Sequence, residues 1–423
     1  MRPGSAGVWS ADGHSGRAMK LSYVALSAAV AALILPAAGT SAARASAAAS
    51  YAAIDGSGSA WQAVPIDRWA EFVAAQGLVV NYNPDGNTAG RADYMQGFLV
   101  DFAASDVPFR NGHDKLGRTA AEKSPYSYSY LPLVAGGIAI AYHLTAHGRP
   151  VTGVRLSATT LMEIFTGQIT NWDDPRITKD NGRRLPDVRI IPVVRSDEAG
   201  STFYFTDWLA DRFPRQWNAF CARVTRGRVK APCGNTEFYP VSGPGWHPQA
   251  EDGSNAVVDY LTSKAGNGAI GYDEYAYAHA GGAAIVQVAR IANPAGKYVL
   301  PTAGNVTAAL TAAAVNENPH SPYYLEENLA RVFTDKNPAS YPLSYYGYLI
   351  VPRSGGRVPP IFTAAAGSSL STFAIFAICS KGQAQQLAIG DATLPANLVA
   401  AGLVMVAQIP GHVTVPSLKT CRR

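Results

Sequence analysis

Three times in this chain an apolar, strand-like run ends in a cluster of tiny residues and passes at once into a helix-forming segment. In YAAIDGSGSAWQAVPIDRWAEFVAAQG a short strand (Ala52 to Ile54) meets Gly56, Ser57, Gly58 and Ser59, and an amphipathic helix follows with Trp61, Val64, Trp69 and Phe72. GLVVNYNPDGNTAGRADYMQGF repeats the pattern, with a strand at Val79 to Tyr82, a polar turn at Asp85 to Gly90 and a helix beyond. In VVRSDEAGSTFYFTDWLADRF, Val193 and Val194 end a strand, and Ala199, Gly200 and Ser201 open a helix whose Phe203, Phe205, Leu209 and Phe213 are predicted to share one face. A further strand, VDFAASD, ends on Asp106. Strands that alternate with helices through small-residue turns predict an open α/β sheet, with a ligand crevice at the strands' carboxyl ends.

The remaining chain fits two lobes of this kind. LPLVAGGIAIAYHL is long enough to carry the chain from one lobe to the other, and PLSYYGYLIVP is predicted to return it. LSATTLMEIFTGQITNWDDPRI reads as a helix ended near Gly167 and a turn; GNGAIGYDEYAYA reads as a strand. The last stretch, from SSLSTF to MVAQI, reads as helices with a turn at Gly390 to Pro395. With 48% hydrophobic and 10% aromatic residues, two cores can be filled. The expected division is a leader at 1–47, a first lobe at 48–130 plus 345–423, and a second at 131–344.

The leader expectation rests on Arg17, Met19 and Lys20 before LSYVALSAAVAALILPAA, and on Ala45, Ser46 and Ala47 in the form of a cleavage site. A single membrane anchor is the rival, disfavoured by Pro36 and the Ala/Ser-rich tail. The chain carries 35 Lys+Arg against 30 Asp+Glu, and cutting after Ala47 leaves 31 against 29, so the basic balance belongs largely to the leader. Without a basic, aromatic-interleaved stripe, nucleic acid is not an expected partner. Four cysteines suit an oxidising compartment and allow three pairings; proximity favours Cys221 with Cys233. No cysteine follows the leader closely enough for lipidation and no C-terminal run suits a membrane span, so free secretion is expected.

The small-residue turns also have a chemical meaning. Free N–H groups at a helix N-terminus form an anion site when the side chains are small, and an arginine fork such as Arg195 would complete one. The blander alternatives are an interlobe or surface ion pair for Arg195 and Asp197, a turn cap for Asp106, and a core or cleft-wall role for Trp61. Asp173 and Asp174 read as turn caps before Pro175 and not as an acid/base pair. A rival enzyme, such as a secreted phosphatase, needs a nucleophile with its base, or a metal cluster; the eight histidines are scattered and no G-x-S-x-G or H-E-x-x-H occurs. No catalytic residue, metal or cofactor is expected.

RSDEAGSTFYFTDWL, FTGQITNWDDPRI, AIGYDEYAYA, VDFAASDVP and the opening GSGSAW together resemble, in order, the substrate-binding component of phosphate ABC transporters, the PstS-like proteins. The resemblance runs from about Ile54 to about Pro410, and the NYNPDG turn and Cys-flanked loop look closest to the secreted actinobacterial branch. It implies a type II periplasmic binding protein fold, two α/β lobes joined by two crossing strands, with inorganic phosphate held between them and an ABC permease as partner to a monomer. It also implies that Arg195 grips phosphate, Asp197 orients that arginine and Asp106 accepts the proton of hydrogen phosphate. Ala60, Trp61, Asn87, Thr88, Gly200 and Ser201 fall on the remaining ligand-binding positions. Ala60 and Ala199 stand where the family places hydroxyls, Asn87 where serine is frequent and Glu198 where glycine is common; Ser59 or Thr202 would have to supply the missing donors. The alternative is a drifted fold for another oxyanion or a surface-binding role.

Overall fold

The structure, a computed structural model, describes residues 51–110, 114–116, 121–280, 286–318, 324, 326–388 and 391–423. Nine strands form one mixed sheet: β1 (Ile54–Gly58), β2 (Val80–Asn83), β3 (Phe102–Ser105), β4 (Tyr128–Tyr142), β5 (Ile191–Arg195), β6 (Gln249–Glu251), β7 (Ala269–Glu274), β8 (Gln287–Val288) and β9 (Ser344–Pro352). Their order is β2-β1-β3-β9-β4-β7-β5-β6, with β8 also paired to β4. β1 is parallel to β2 and β3 on one side, and β5 is parallel to β6 and β7 on the other. The antiparallel strands β4 and β9 join these halves. β4 pairs with β9 from Tyr128 to Gly137, then changes partner and pairs with β7 from Ile138 to Tyr142. The two predicted crossing strands are therefore present, and their residues are almost wholly buried because helices cover both faces.

The helices nearest the strand ends are α1 (Ala60–Ala74), α2 (Asn87–Gln96), α3 (Gly200–Arg212) and α4 (Gly253–Thr262); α5 (Ala364–Ile378) and α6 (Ala396–Val406) follow the last strand. α5 packs on α1, where Trp69 and Phe373 meet edge to face with ring centroids 6.4 Å apart, and α6 lies against β4. Each parallel strand thus ends at a helix start or at a charged residue on one rim, as the open-sheet pattern requires.

Several boundaries depart from the sequence reading. β1 begins at Ile54 and runs through Gly56, Ser57 and Gly58, which the composition suggests as a turn. The reason is packing: a Cβ on Gly56 would lie 2.2 Å from the Phe102 ring, and one on Gly58 1.9 Å from the Ala104 carbonyl oxygen, with φ of Gly58 at +133°. Ser59 alone makes the turn, and its Oγ accepts the Gln62 N–H to cap α1. α2 starts inside the predicted polar turn, at Asn87. α3 has no single apolar face: Gly200 to Thr206, Trp208 and Leu209 are all buried, and Phe213 lies beyond its end. Its first two turns are buried on nearly every side and only Asp211 and Arg212 at its end are exposed, which periodicity alone does not reveal.

Other expectations hold. The helix Ala158–Phe165 stops before Gly167, whose φ is +74°, and Asp174 caps Pro175–Asn181 by accepting from the Arg176 N–H. Cys221 pairs with Cys233, and Cys379 pairs with Cys421 across 42 residues, a bond that proximity did not indicate. No single helix among the described residues is long and apolar enough to cross a membrane. The leader at 1–47 and Gly390 of the C-terminal turn lie outside the described residues.

Candidate functional site

Asp106 follows the carboxyl end of β3 and is 2% exposed. Its carboxylate accepts from Ser59 Oγ at 2.8 and 2.9 Å, from Gln62 Nε2 at 2.9 Å and from Asn87 Nδ2 at 3.2 Å. Asn87 Oδ1 in turn accepts the Asp106 N–H at 2.8 Å. These donors are neutral, so they orient the charge without cancelling it. Burial first, and the negative charge of Glu274 second, push the Asp106 carboxyl up to about 6 despite the three donors. The opposite wall approaches closely: a Cβ on Gly200 would sit 2.5 Å from the Asp106 Cβ. Only glycine fits at the start of α3 beside this acid.

Arg195, the last residue of β5, is built in the opposite way. Its Nε donates to Asp197 Oδ1 at 2.6 Å and its Nη2 to Asp197 Oδ2, while Nη1 donates to Ser254 Oγ at 2.9 Å and lies 3.6 Å from Asp273 Oδ1. Ser254 Oγ donates onward to Glu274 Oε2 at 3.0 Å, and Asp197 Oδ1 also accepts the Gly253 N–H at 3.1 Å. Burial pulls the guanidinium down, but Asp197, Asp273 and Glu274 outweigh it and keep the charge in place. Within the adjacent pair, burial and the Glu274 charge raise Asp273, which is 1% exposed, whereas Glu274, though buried, is held low by Asp273 and Arg195.

Between these two groups lies a cleft of about 310 Å³. Ala60, Trp61, Asn87, Asp106, Arg195, Asp197 and Gly200 all line it, so seven of the nine predicted ligand residues converge. Thr88 and Ser201 do not: Thr88 Oγ1 accepts from Arg91, and Ser201 is fully buried with its Oγ unpaired. The two substitutes for missing hydroxyls are also committed, Ser59 to Asp106 and Thr202 to the Tyr272 hydroxyl at 2.8 Å. Trp61 forms part of the wall, its Nε1 donating to Asp391 at 3.3 Å. Ala199 occupies the N-cap of α3 with no side-chain cap. Glu198 adds a half-buried carboxyl, which burial first and then Glu237 push up to about 7. With Asp85 and Asp252 as well, six acids and one arginine border the space.

Residues 41–381 match the family model described as a PBP superfamily domain. The chain belongs to the PBP superfamily. This PBP chain is 29% identical over 303 residues to the phosphate-binding protein PstS 3 of Mycobacterium tuberculosis, covering 70% of this chain and 72% of that protein. It is 26% identical over 355 residues to the phosphate-binding protein PstS of Methanocaldococcus jannaschii, covering 81% and 83%. Among solved structures, a DING protein superposes with a TM-score of 0.59 at 20% identity, over 87% of this chain and 98% of that one. A phosphate-binding protein from Stenotrophomonas maltophilia gives 0.56 at 17% identity, over 88% and 98%. At these identities the likeness establishes the fold, the type II arrangement expected from the sequence.

Four features of this PBP chain's cleft escaped the sequence reading. Gln62, one turn into α1, reads as an ordinary helix residue. The start of α4, Asp252-Gly253-Ser254, carries the same small-residue signal as the other turns, but the strand before it has only three residues. Ser254 joins Arg195 to Glu274, a link between residues far apart in sequence. Asp273 and Glu274 lay inside a recognised motif, yet neighbouring residues of a strand normally point to opposite faces, so their joint approach to Arg195 was not legible.

Proposed function

We propose that the protein is an extracytoplasmic solute-binding protein that captures inorganic phosphate, as hydrogen phosphate, between Asp106 and Arg195 and delivers it to an ABC permease. The observation that carries this reading is the environment of Asp106. A buried carboxylate facing an oxyanion is repelled unless a proton lies between them. Asp106 has three neutral donors that fix its orientation, and at neutral pH it is largely ionised, ready to accept the ligand's proton. Sulfate has no proton to offer at that pH and is rejected.

On the other wall Arg195 supplies the fixed positive charge, oriented by Asp197, and the N-termini of α1, α2, α3 and α4 point backbone N–H groups toward the ligand. Ala60, Trp61, Asn87, Thr88, Gly200 and Ser201 complete the set. The lobes 48–130 plus 345–423 and 131–344 close about β4 and β9 as hinge strands. No bond is made or broken and no cofactor takes part. The leader expected at 1–47 supports export. The six acids and the hydroxyl-free Ala60 and Ala199 favour a second reading, an oxyanion that carries more protons than phosphate at neutral pH.

Titration calorimetry of protein stripped of ligand by unfolding and refolding tests this, with phosphate and then sulfate at pH 7. Micromolar or tighter phosphate binding without a sulfate signal is expected. Silence with both anions would retire the phosphate reading, and equal binding of both would remove Asp106 as the selector.

A further inference from the structure

Behind the cleft, on α2, the side chain of Arg91 is completely buried. Its Nε donates to Glu122 Oε2 at 2.8 Å, Nη2 donates to Glu237 Oε2 at 3.0 Å and to Thr88 Oγ1 at 3.2 Å, and Nη1 donates to Glu237 Oε1 and Ser105 Oγ, each at 3.2 Å. Glu122, Thr88 and Ser105 belong to the Asp106 side of the sheet. Glu237 belongs to the other side: its carbonyl accepts the Ala199 N–H at 3.2 Å, and the neighbouring Thr236 carbonyl accepts from Thr206 Oγ1 on α3 at 3.0 Å. The ion pair therefore bridges two chain segments 146 residues apart, one on each wall. Glu237 is also fully buried.

Arg91 is tied to the ligand position as well. Ser105 Oγ, which it contacts, donates to the Val107 carbonyl at 2.6 Å and reaches Asn87 Oδ1 at 3.4 Å, so both neighbours of Asp106 are held in the same network. A buried ion pair is tolerated only while both partners are present and well paired. If the walls separate, water enters and solvates each charge; a half-open gap gives neither good pairing nor full hydration. The contact thus favours two states, fully shut or clearly open.

We propose that Arg91 is a positioning residue for ligand capture, the latch that holds the Asp106 wall against Glu237 on the Arg195 wall once the cleft has closed. This rests on the hinged-capture reading above. The latch slows escape of the ligand and also holds part of the empty population shut, so it lowers association only by that closed fraction and acts chiefly on dissociation.

The test compares wild type, Glu237→Gln and the double variant Arg91→Met/Glu237→Met, all as ligand-stripped mature protein. Small-angle scattering gives the radius of gyration with and without inorganic phosphate, and stopped-flow fluorescence gives the two rate constants. The expected result is a larger radius for empty Glu237→Gln than for empty wild type, contraction on phosphate, and dissociation about ten-fold faster with association nearly unchanged. A purely structural pair would lower the melting temperature and leave the radius and dissociation rate as in wild type, which would overturn the proposal. Should Glu237→Gln not fold, the double variant, which removes both bridging charges and leaves Glu122 with the Arg110 N–H, carries the same comparison. If wild type itself shows no phosphate signal, the capture reading fails, and the radius of the empty variants alone decides the latch.

Discussion

Asp106 and Arg195 face one cleft, yet the protein holds them by contrary means. Asp106 is surrounded by amides and a hydroxyl, Arg195 by carboxylates. Neutral donors leave the acid's proton affinity adjustable, and its carboxyl titrates at about 6. Counter-charges fix the arginine as a cation but spend part of its attraction before any ligand arrives. The first group is suited to reading a proton, the second to standing still.

If that contrast is right, Arg195→Ala has the largest effect. Phosphate binding should disappear from calorimetry, and the ligand-free protein should lose about 3 kcal/mol in denaturant unfolding, because Asp197 and Glu274 stay behind without their counter-charge. Unchanged stability would break the comparison by showing that the acids do not depend on the arginine. Asp106→Asn comes next. The folded carboxyl titrates above its ordinary value of 3.8, so its contribution to stability is present below pH 4 and lost as pH rises through 6. The ligand-free variant should therefore gain on wild type by about 3 kcal/mol between pH 4 and pH 7, and it should admit sulfate. Parallel stability curves for the two proteins would mean that Asp106 is not perturbed.

Glu198→Gln sharpens the contrast with a smaller effect. The Glu198 carboxyl is raised to about 7, so it is mostly neutral at pH 6 and ionised at pH 8. Wild type should lose about three- to ten-fold more phosphate affinity than the variant over that interval, an effect that salt reduces because the group is half exposed. Smallest is Ala199→Ser, which gives α3 the side-chain cap it lacks; about 1 kcal/mol of stability is expected in chemical denaturation, together with tighter phosphate binding.

The parts of the site that were legible are those written locally. A strand end, a few small residues and a helix start announce α1, α2 and α3, and Arg195 and Asp197 are two positions apart. Asp106 was visible as the end of an apolar run. The parts that were not legible depend on distance: Gln62 meets Asp106 across 44 residues, and Arg91 meets Glu237 across 146. The boundary of β1 failed for another reason. Glycine suggests a turn, and only the Phe102 ring beside Gly56 shows that it marks close strand packing. The second disulfide likewise needed the folded C-terminal segment, since Cys379 and Cys421 are separated by two helices.

The tight approach of Gly200 to Asp106 has a bearing on descent. Two positions 94 residues apart share one small volume, so neither can drift alone: a methyl group at the first would displace the carboxyl of the second. Lineages that keep the acid are bound to keep the glycine, and a lineage that has enlarged the glycine will have surrendered the acid. If Asp106 reads the proton of the ligand, the pair is a heritable record of which descendants still distinguish anions by their protons.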